Sequence, residues 1–81
     1  MNQDEIFQAL KGYLRDIFEV PESDITLDSR LVEDLDLDSI DAVDLMVKLQ
    51  ELTGRKIPPD EFKSVRTVGD IVERVHALLS A

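Results

Sequence analysis

The sequence contains no cysteine. This absence excludes disulfide bonds, thiolate metal sites and a cysteine nucleophile, and it fits a reducing cytoplasm. Long apolar runs are also missing, and the first five residues, MNQDE, are polar or acidic apart from the initial Met. We therefore expect no signal peptide and no membrane-spanning segment, and we place the protein in the cytoplasm.

Basic residues are scarce, with 9 Lys and Arg against 18 Asp and Glu and a net charge of -9. A chain of this charge repels nucleic acid and anionic membranes, and it predicts partners with basic patches. Acidic surfaces also serve solubility, so charge alone identifies no function. The 81 residues are long enough for one small domain, residues 1–81, which we expect to be monomeric.

Apolar residues recur at helical spacing along most of the chain. They predict a first helix over residues 4–18, which ends at or before Val20 because Pro21 follows. They also predict a second helix from Ser39 to about Leu52, with Gly54 as its stop. Its predicted apolar side consists of Ile40, Val43, Met46, Val47 and Leu49.

A long connection, residues 21–37, separates these two helices, and loops of this length are usually functional. Its predicted buried anchors are Ile25, Leu27, Leu31, Val32 and Leu35. Residues 60–64 predict a short helical turn, and a last helix begins after Thr67, with Asp70 completing a box-like cap. The fold class is therefore all-α: an antiparallel bundle of three long helices and one short helix, with a long loop between the first two.

The segment 33–44, EDLDLDSIDAVD, is the most acidic part of the chain. Its six acidic residues are Glu33, Asp34, Asp36, Asp38, Asp41 and Asp44. Such a segment is usually a run of charged residues that lies in solvent and has no specific function. Its position, at the end of a long loop and the start of a helix, favours a functional role.

Two residues compete to cap the second helix. Asp38 with Asp41 forms an Asp-x-x-Asp arrangement close to a capping box, which makes Ser39 the first helical residue and leaves its hydroxyl free. The alternative is that Ser39 itself is the cap, and residue preference alone ranks this alternative first.

Five segments carry a family resemblance. They are Leu31-Val32-Glu33-Asp34-Leu35, Asp38-Ser39-Ile40, Asp41-Ala42-Val43-Asp44-Leu45, Ile57-Pro58 and Thr67-Val68. In this order and at this spacing, they resemble the acyl carrier protein family over nearly the whole chain. A lone Asp-Ser-Ile is weak, whereas the five segments together are specific.

The resemblance implies a non-catalytic carrier. Ser39 would be the attachment residue for 4'-phosphopantetheine, donated from coenzyme A by a phosphopantetheinyl transferase. The thiol of this arm would hold an acyl group as a thioester and present it to enzymes of fatty-acid, polyketide or specialised lipid synthesis. A flexible tether raises the effective concentration of its cargo near a partner's active site.

The resemblance also implies a partner-binding face. Its acidic members are Asp38, Asp41, Asp44 and Glu51, and its apolar members are Val43 and Val47. Such a face suits transient binding, since exposed charge raises association rates more than affinity. Core packing is the alternative role for Val43.

Several positions depart from the family pattern. Asp36 stands where Gly is common, although Asp tolerates left-handed backbone better than most residues. Ile40 replaces a common Leu, Thr53 a bulky apolar residue and Ile71 a small one, while Lys48 interrupts the acidic face. These departures suggest a specialised carrier, and they leave the length of the sheltered acyl chain open.

Anions beside a helix start are stabilised by its N–H groups, whereas flanking carboxylates repel them. For a phosphodiester on Ser39 we expect the two effects to balance, so that the group is tethered but not clamped.

Three other functions were weighed. Asp34, Asp36 and Asp38 occupy positions one, three and five of a calcium loop, but positions six and twelve carry Ser39 and Leu45 instead of Gly and Glu. We therefore expect no specific metal site.

A hydrolase lacks the Gly-x-Ser-x-Gly elbow around Ser39, and the single histidine, His76, lies deep in the last helix. An unmodified acidic interaction module would account for every feature of the sequence except the placement of Ser39.

Several basic residues gather in the second half of the chain: Arg55, Lys56, Lys63, Arg66 and Arg74. They either balance the acids or form a second contact surface. Ordinary surface charge is the commoner reading of such residues.

Overall fold

The computed structural model describes residues 2–58 and 64–80, with Ser39 described by its backbone alone. It contains the helices α1 (Gln3–Phe18), α2 (Ser39–Thr53) and α3 (Val68–Ser80), and a 3-10 helix, Glu22–Asp24, in the connection between α1 and α2. Within the described ranges there is no strand, only an isolated bridge between Arg30 and Thr67. The all-α prediction is confirmed. The predicted short helix at 60–64 lies, apart from its last residue, outside the described residues.

Short polar side chains begin the helices. Asn2 caps α1, because its Oδ1 accepts from the Glu5 N–H at 2.8 Å while the Glu5 carboxylate accepts from the Asn2 N–H. Thr67 Oγ1 accepts from the Asp70 N–H at 3.2 Å, and Asp70 Oδ2 accepts from the Thr67 N–H at 3.1 Å. The second of these boxes confirms the predicted start of α3, whereas sequence analysis missed the first.

Left-handed backbone ends two of the helices. Gly54 follows α2 with a φ of 68°, which confirms it as the predicted stop. Glu19 follows α1 with a φ of 57°, so this helix ends at Phe18, just ahead of the limit that Pro21 imposes.

The core lies where α1 packs against α2 and α3. Its fully buried side chains come from all three helices: Ile6, Leu10, Leu14, Leu45, Leu49, Val68, Ile71 and Val75. No helix among the described residues is both long enough and apolar enough to cross a bilayer.

The connection between α1 and α2 packs differently from the prediction. Ile25 and Leu35 are buried and Leu31 is partly buried, as expected, but Leu27 is 51% and Val32 is 67% exposed. The prediction was wrong for these two because irregular backbone has no periodicity from which burial can be read. Leu37, which sequence analysis did not name, is buried instead.

Backbone hydrogen bonds tie this connection to the start of α3. The N–H of Val68 donates to Ser29 O at 3.0 Å, and that of Gly69 donates to Leu27 O at 2.8 Å. In return, the Leu31 N–H donates to Arg66 O at 2.9 Å. The loop thus satisfies N–H groups that a helix start leaves unpaired, and it is fixed on α3.

Ser29 organises the turn that makes these contacts. It is a buried polar residue, 6% exposed, and its hydroxyl donates to Asp24 O at 2.8 Å and accepts from the Thr26 N–H at 2.9 Å. Its own carbonyl is therefore held in place to receive the N–H of Val68.

The apolar side predicted for α2 was largely wrong. Ile40, Val43 and Val47 are 71%, 52% and 45% exposed, while Leu45 and Leu49 face the core. Helix α2 is apolar on two sides, so periodicity alone could not select the side that packs inward.

Candidate functional site

Asp38 caps α2, as its spacing from Asp41 predicted. Asp38 Oδ1 accepts from the Asp41 N–H at 2.9 Å, and Asp41 Oδ2 accepts from the Asp38 N–H at 3.3 Å. Asp38 has extended backbone, and Ser39 is the first residue of the helix. The alternative, in which Ser39 is the cap, is wrong, so the start of α2 does not depend on the hydroxyl of Ser39.

A sharp turn aims the chain into this cap. Asp36 has a φ of 55°, in the left-handed region that short polar side chains tolerate better than most. Its neighbours Leu35 and Leu37 are both buried, at 7% and 4% exposure. Two apolar anchors therefore hold the backbone immediately before the cap.

Arg30 braces the same segment from the outside. Its Nε and Nη2 donate to the two carboxylate oxygens of Asp34, each at 3.2 Å, and its backbone N–H donates to Asp34 Oδ2 at 2.8 Å. A further ion pair joins Arg30 to Glu33. The Arg30 side-chain hydrogen bonds, together with its backbone N–H, lower the pKa of Asp34 below its ordinary value. Arg30 thus engages two of the six acids of segment 33–44, and the capping box engages two more, Asp38 and Asp41.

The predicted partner-binding residues lie along α2 and its cap. Val43 and Val47 share an exposed face with Asp44 and Glu51, since all four recur at spacings of three and four. The exposure of Val43 excludes core packing as its main role. Asp38 is exposed and Asp41 is partly buried, and both are used in the capping box.

Glu51 differs from the other acids of this face because it pairs with a cation. Lys48 Nζ lies 3.7 Å from Glu51 Oε2, and both side chains are exposed. The acidic character of α2 is therefore concentrated in its first two turns.

A cavity of about 730 Å³ opens beside the start of α2. Its apolar wall comes from the loop, α2 and α3, and consists of Leu31, Val32, Leu37, Ala42, Leu45, Val65 and Ile71. Its polar wall consists of Arg30, Glu33, Asp38, Arg66 and Thr67. The size and the mixed lining are those of a small-molecule site.

The family resemblance implied a sheltered acyl chain, but sequence analysis did not place this cavity and gave no role to Arg30, Leu37 or Val65 on its wall. Arg30 stands four residues before an Asp, and this spacing is a recognisable signal for a local ion pair. Leu37 lies inside the acidic run. Its alternation with Leu35 across Asp36 was the available signal that both leucines are buried. Ile71, which sequence analysis placed in the apolar stripe of the last helix and connected with the depth of the pocket, is a fully buried wall residue.

A search of residues 2–58 and 64–80 finds no group of three or more His, Asp or Glu side chains arranged to hold a metal ion. Two of the three carboxylates considered for a calcium loop have other partners. Asp34 binds Arg30, and Asp38 caps α2.

Comparison with known proteins gives one family and several close relatives. The family model described as "Phosphopantetheine attachment site" matches residues 8–75. A protein named "Acyl carrier protein 2" from Ralstonia nicotianae is 51% identical over 81 residues, covering 100% of both chains. An "Acyl carrier protein" from Lactobacillus acidophilus is 40% identical over 75 residues, covering 93% of this chain and 94% of that one. Another from Coprothermobacter proteolyticus is 38% identical over 79 residues, covering 98% and 96%.

Proposed function

Because the chain belongs to the family defined by a phosphopantetheine attachment site, we propose that it is an acyl carrier whose 4'-phosphopantetheine arm is attached to Ser39. It is non-catalytic, and it presents acyl groups to the enzymes that process them. When bound, the arm supplies a thiol that holds the acyl group as a thioester. The observation that carries the choice of Ser39 is the cap: Asp38 performs it, which leaves the next residue without that structural duty.

The residues around the start of α2 fit such a group. Asp38 lines the apolar cavity and precedes Ser39 directly, so an arm attached there begins at the cavity's edge. The apolar wall offers shelter from water to an acyl chain, because burial of apolar surface is favourable. Leu45 and Ile71, from α2 and α3, form the fully buried part of that wall.

We further propose that enzymes dock on the exposed face of α2 described above. Asp44 supplies charge there, and Val43 and Val47 supply apolar contact within reach of the attachment point. Asp38 and Asp41 extend the negative potential to the cap. Glu51 contributes less to this potential because it pairs with Lys48. A charged face of this kind accelerates association with basic patches and permits rapid release.

The remaining parts of the proposal concern the chain as a whole. Residues 1–81 form one carrier domain, with residues 60–64 as the short fourth helix of an antiparallel bundle. It acts as a monomer in the cytoplasm and receives its arm from a phosphopantetheinyl transferase. The high proportion of acidic residues supports a transferase with a basic patch as partner, and the lack of cysteine fits the cytoplasm.

Intact mass measurement tests the attachment directly. The chain is co-expressed with a phosphopantetheinyl transferase, alongside Ser39→Ala and the control Ser23→Ala, which changes an exposed serine of the 3-10 helix. We expect the wild type and Ser23→Ala to gain the mass of the arm and Ser39→Ala to gain none. No gain in any chain would refute the carrier function, and a gain in Ser39→Ala would refute the assigned residue.

A pair of charge reversals tests the docking face. Asp44→Lys, on that face, is compared with Glu73→Lys, which makes the same charge change at an exposed position of α3. We expect kcat/KM of the transferase to fall at least about tenfold for Asp44→Lys, a loss of about 1.4 kcal/mol, and much less for Glu73→Lys. Equal losses would show that only net charge matters.

A further inference from the structure

Arg66 lines the cavity, and its side-chain N–H groups donate to no acceptor among the described residues. It is exposed, and within residues 2–58 and 64–80 its guanidinium makes neither an ion pair nor a hydrogen bond. Its backbone, by contrast, is fixed. The N–H donates to Asp70 Oδ2 at 3.0 Å, and the carbonyl accepts from the Leu31 N–H at 2.9 Å.

The other polar residues of the wall already have partners. Arg30 is engaged by two carboxylates, those of Asp34 and of Glu33, and the latter lines the cavity as well. Asp38 Oδ1 and Thr67 Oγ1 each accept a capping hydrogen bond from their own helix. Arg66 therefore supplies a positive charge of this wall that makes no ion pair within the described residues, although it lies close enough to Asp70 to help lower the pKa of that carboxyl.

We propose that Arg66 binds an anionic oxygen at the mouth of the cavity, either the phosphodiester of the arm or a carboxylate carried by the cargo. This inference rests on the proposed function. A guanidinium recognises phosphate and carboxylate groups through paired, charge-assisted hydrogen bonds, which are stronger than neutral ones. Glu33 and Asp38 also line the cavity and repel an anion, so the nearby cation of Arg66 decides whether an anionic group can settle there.

Arg66 also alters the balance expected at the start of α2. Helix N–H groups attract a phosphodiester there and flanking carboxylates repel it, and the cation of Arg66 on the cavity wall adds to the attraction. The arm then has a preferred direction, from the start of α2 across the cavity mouth towards the start of α3.

Arg55 provides a matched control. It is exposed and makes no ion pair within the described residues, but it follows the end of α2 and does not line the cavity. Arg66→Gln and Arg55→Gln therefore remove the same charge, one at the cavity and one away from it. Arg66→Lys keeps the charge but loses the planar, two-pronged donor geometry.

The test follows the Nε–Hε NMR signal of Arg66, assigned by its loss in Arg66→Gln, in four forms of the protein. These are the unmodified chain, the chain with the arm, and the chain loaded from butyryl- or succinyl-coenzyme A, two cargoes of equal carbon number of which only the second carries a carboxylate. A shift on attachment of the arm identifies the phosphodiester as the ligand. A shift with succinyl but not with butyryl or the bare arm identifies the carboxylate.

A second readout comes from the phosphorus nucleus of the arm. If the phosphodiester is the ligand, its ³¹P signal should move in Arg66→Gln, stay in Arg55→Gln and be partly restored in Arg66→Lys. An Arg66 signal that is the same in all four forms overturns this inference alone, because the arm is then present and not bound. A chain that never gains the mass of the arm overturns the proposed function and this inference with it.

Discussion

The contact between the long loop and α3 makes a sharp prediction for Gly69. A Cβ atom built on Gly69 would lie 2.9 Å from the carbonyl oxygen of Leu27, the same oxygen that accepts the Gly69 N–H at 2.8 Å. Ordinary contact begins at 3.4 Å, so the carbonyl must retreat by about 0.5 Å. Because that atom is backbone, the loop has to move as a unit.

The expected cost of Gly69→Ala follows from two opposing terms. Forcing a methyl group into a packed contact typically costs about 1–3 kcal/mol. Alanine is also the better helix former, by up to about 1 kcal/mol, which offsets part of the cost. The matched control is Gly12→Ala in α1, where an added Cβ meets nothing within 4 Å and only the favourable term remains.

The two variants are compared by urea unfolding at one pH. The helix-forming term approximately cancels between them, so Gly69→Ala should be less stable than Gly12→Ala by about 1–3 kcal/mol. For a domain of this size, each kcal/mol corresponds to roughly 4–8 °C in Tm. Equal stability, or a more stable Gly69→Ala, would refute the close packing of the loop on α3.

Three further outcomes follow from the described contacts. Asp38→Ala removes the cap of α2 and should cost about 0.5–2 kcal/mol in urea unfolding, whereas Asp38→Asn keeps an acceptor oxygen; equal losses would argue against the cap. Backbone N–H groups of Arg66 and Thr67 lower the pKa of Asp70 below its ordinary 3.8, so its carboxylate stabilises the fold above that pH and loses this effect as pH falls towards the lowered pKa. Tm measured below pH 3.8 should therefore decline less steeply in Asp70→Asn than in the wild type, and parallel curves would contradict this. Ile71→Ala should lower the free energy of unfolding by about 2–5 kcal/mol and, by deepening the cavity, slow the hydrolysis of a long-chain thioester. The control Val75→Ala changes a residue that is equally buried but does not line the cavity, so it should leave the hydrolysis rate unchanged.

Local signals made the starts of α2 and α3 predictable. The boxes at Asp38 and at Thr67 each span only four residues, so nothing distant competes with them. The stop at Gly54 and the left-handed turn at Asp36 are likewise decided by the residue itself. These features place the backbone of Ser39 at the first position of α2. The box spacing predicted this placement, whereas residue preference alone favoured Ser39 as the cap.

Distant contacts made the rest unpredictable. Leu27 is half exposed while its carbonyl accepts the Gly69 N–H of α3, and no pattern within the loop reveals that. Val43 and Val47 are as apolar as Leu45 and Leu49, so only packing against α1 and α3 decides which pair is buried. The cavity itself joins three separate segments, and Arg66 acquires a candidate role only when they are assembled.

The ladder of backbone hydrogen bonds between the loop and α3 has a mechanical consequence. Backbone hydrogen bonds of Leu27, Ser29 and Leu31 hold the loop wall of the cavity to the α3 wall. No backbone hydrogen bond joins α2 to α3 in the described ranges. Among the described residues, α2 and α3 contact each other less than each contacts α1, so the seam between α2 and α3 is the compliant edge of the cavity. If the chain carries an acyl group as proposed, a cargo too long for about 730 Å³ gains room by displacing α2 rather than the hydrogen-bonded loop.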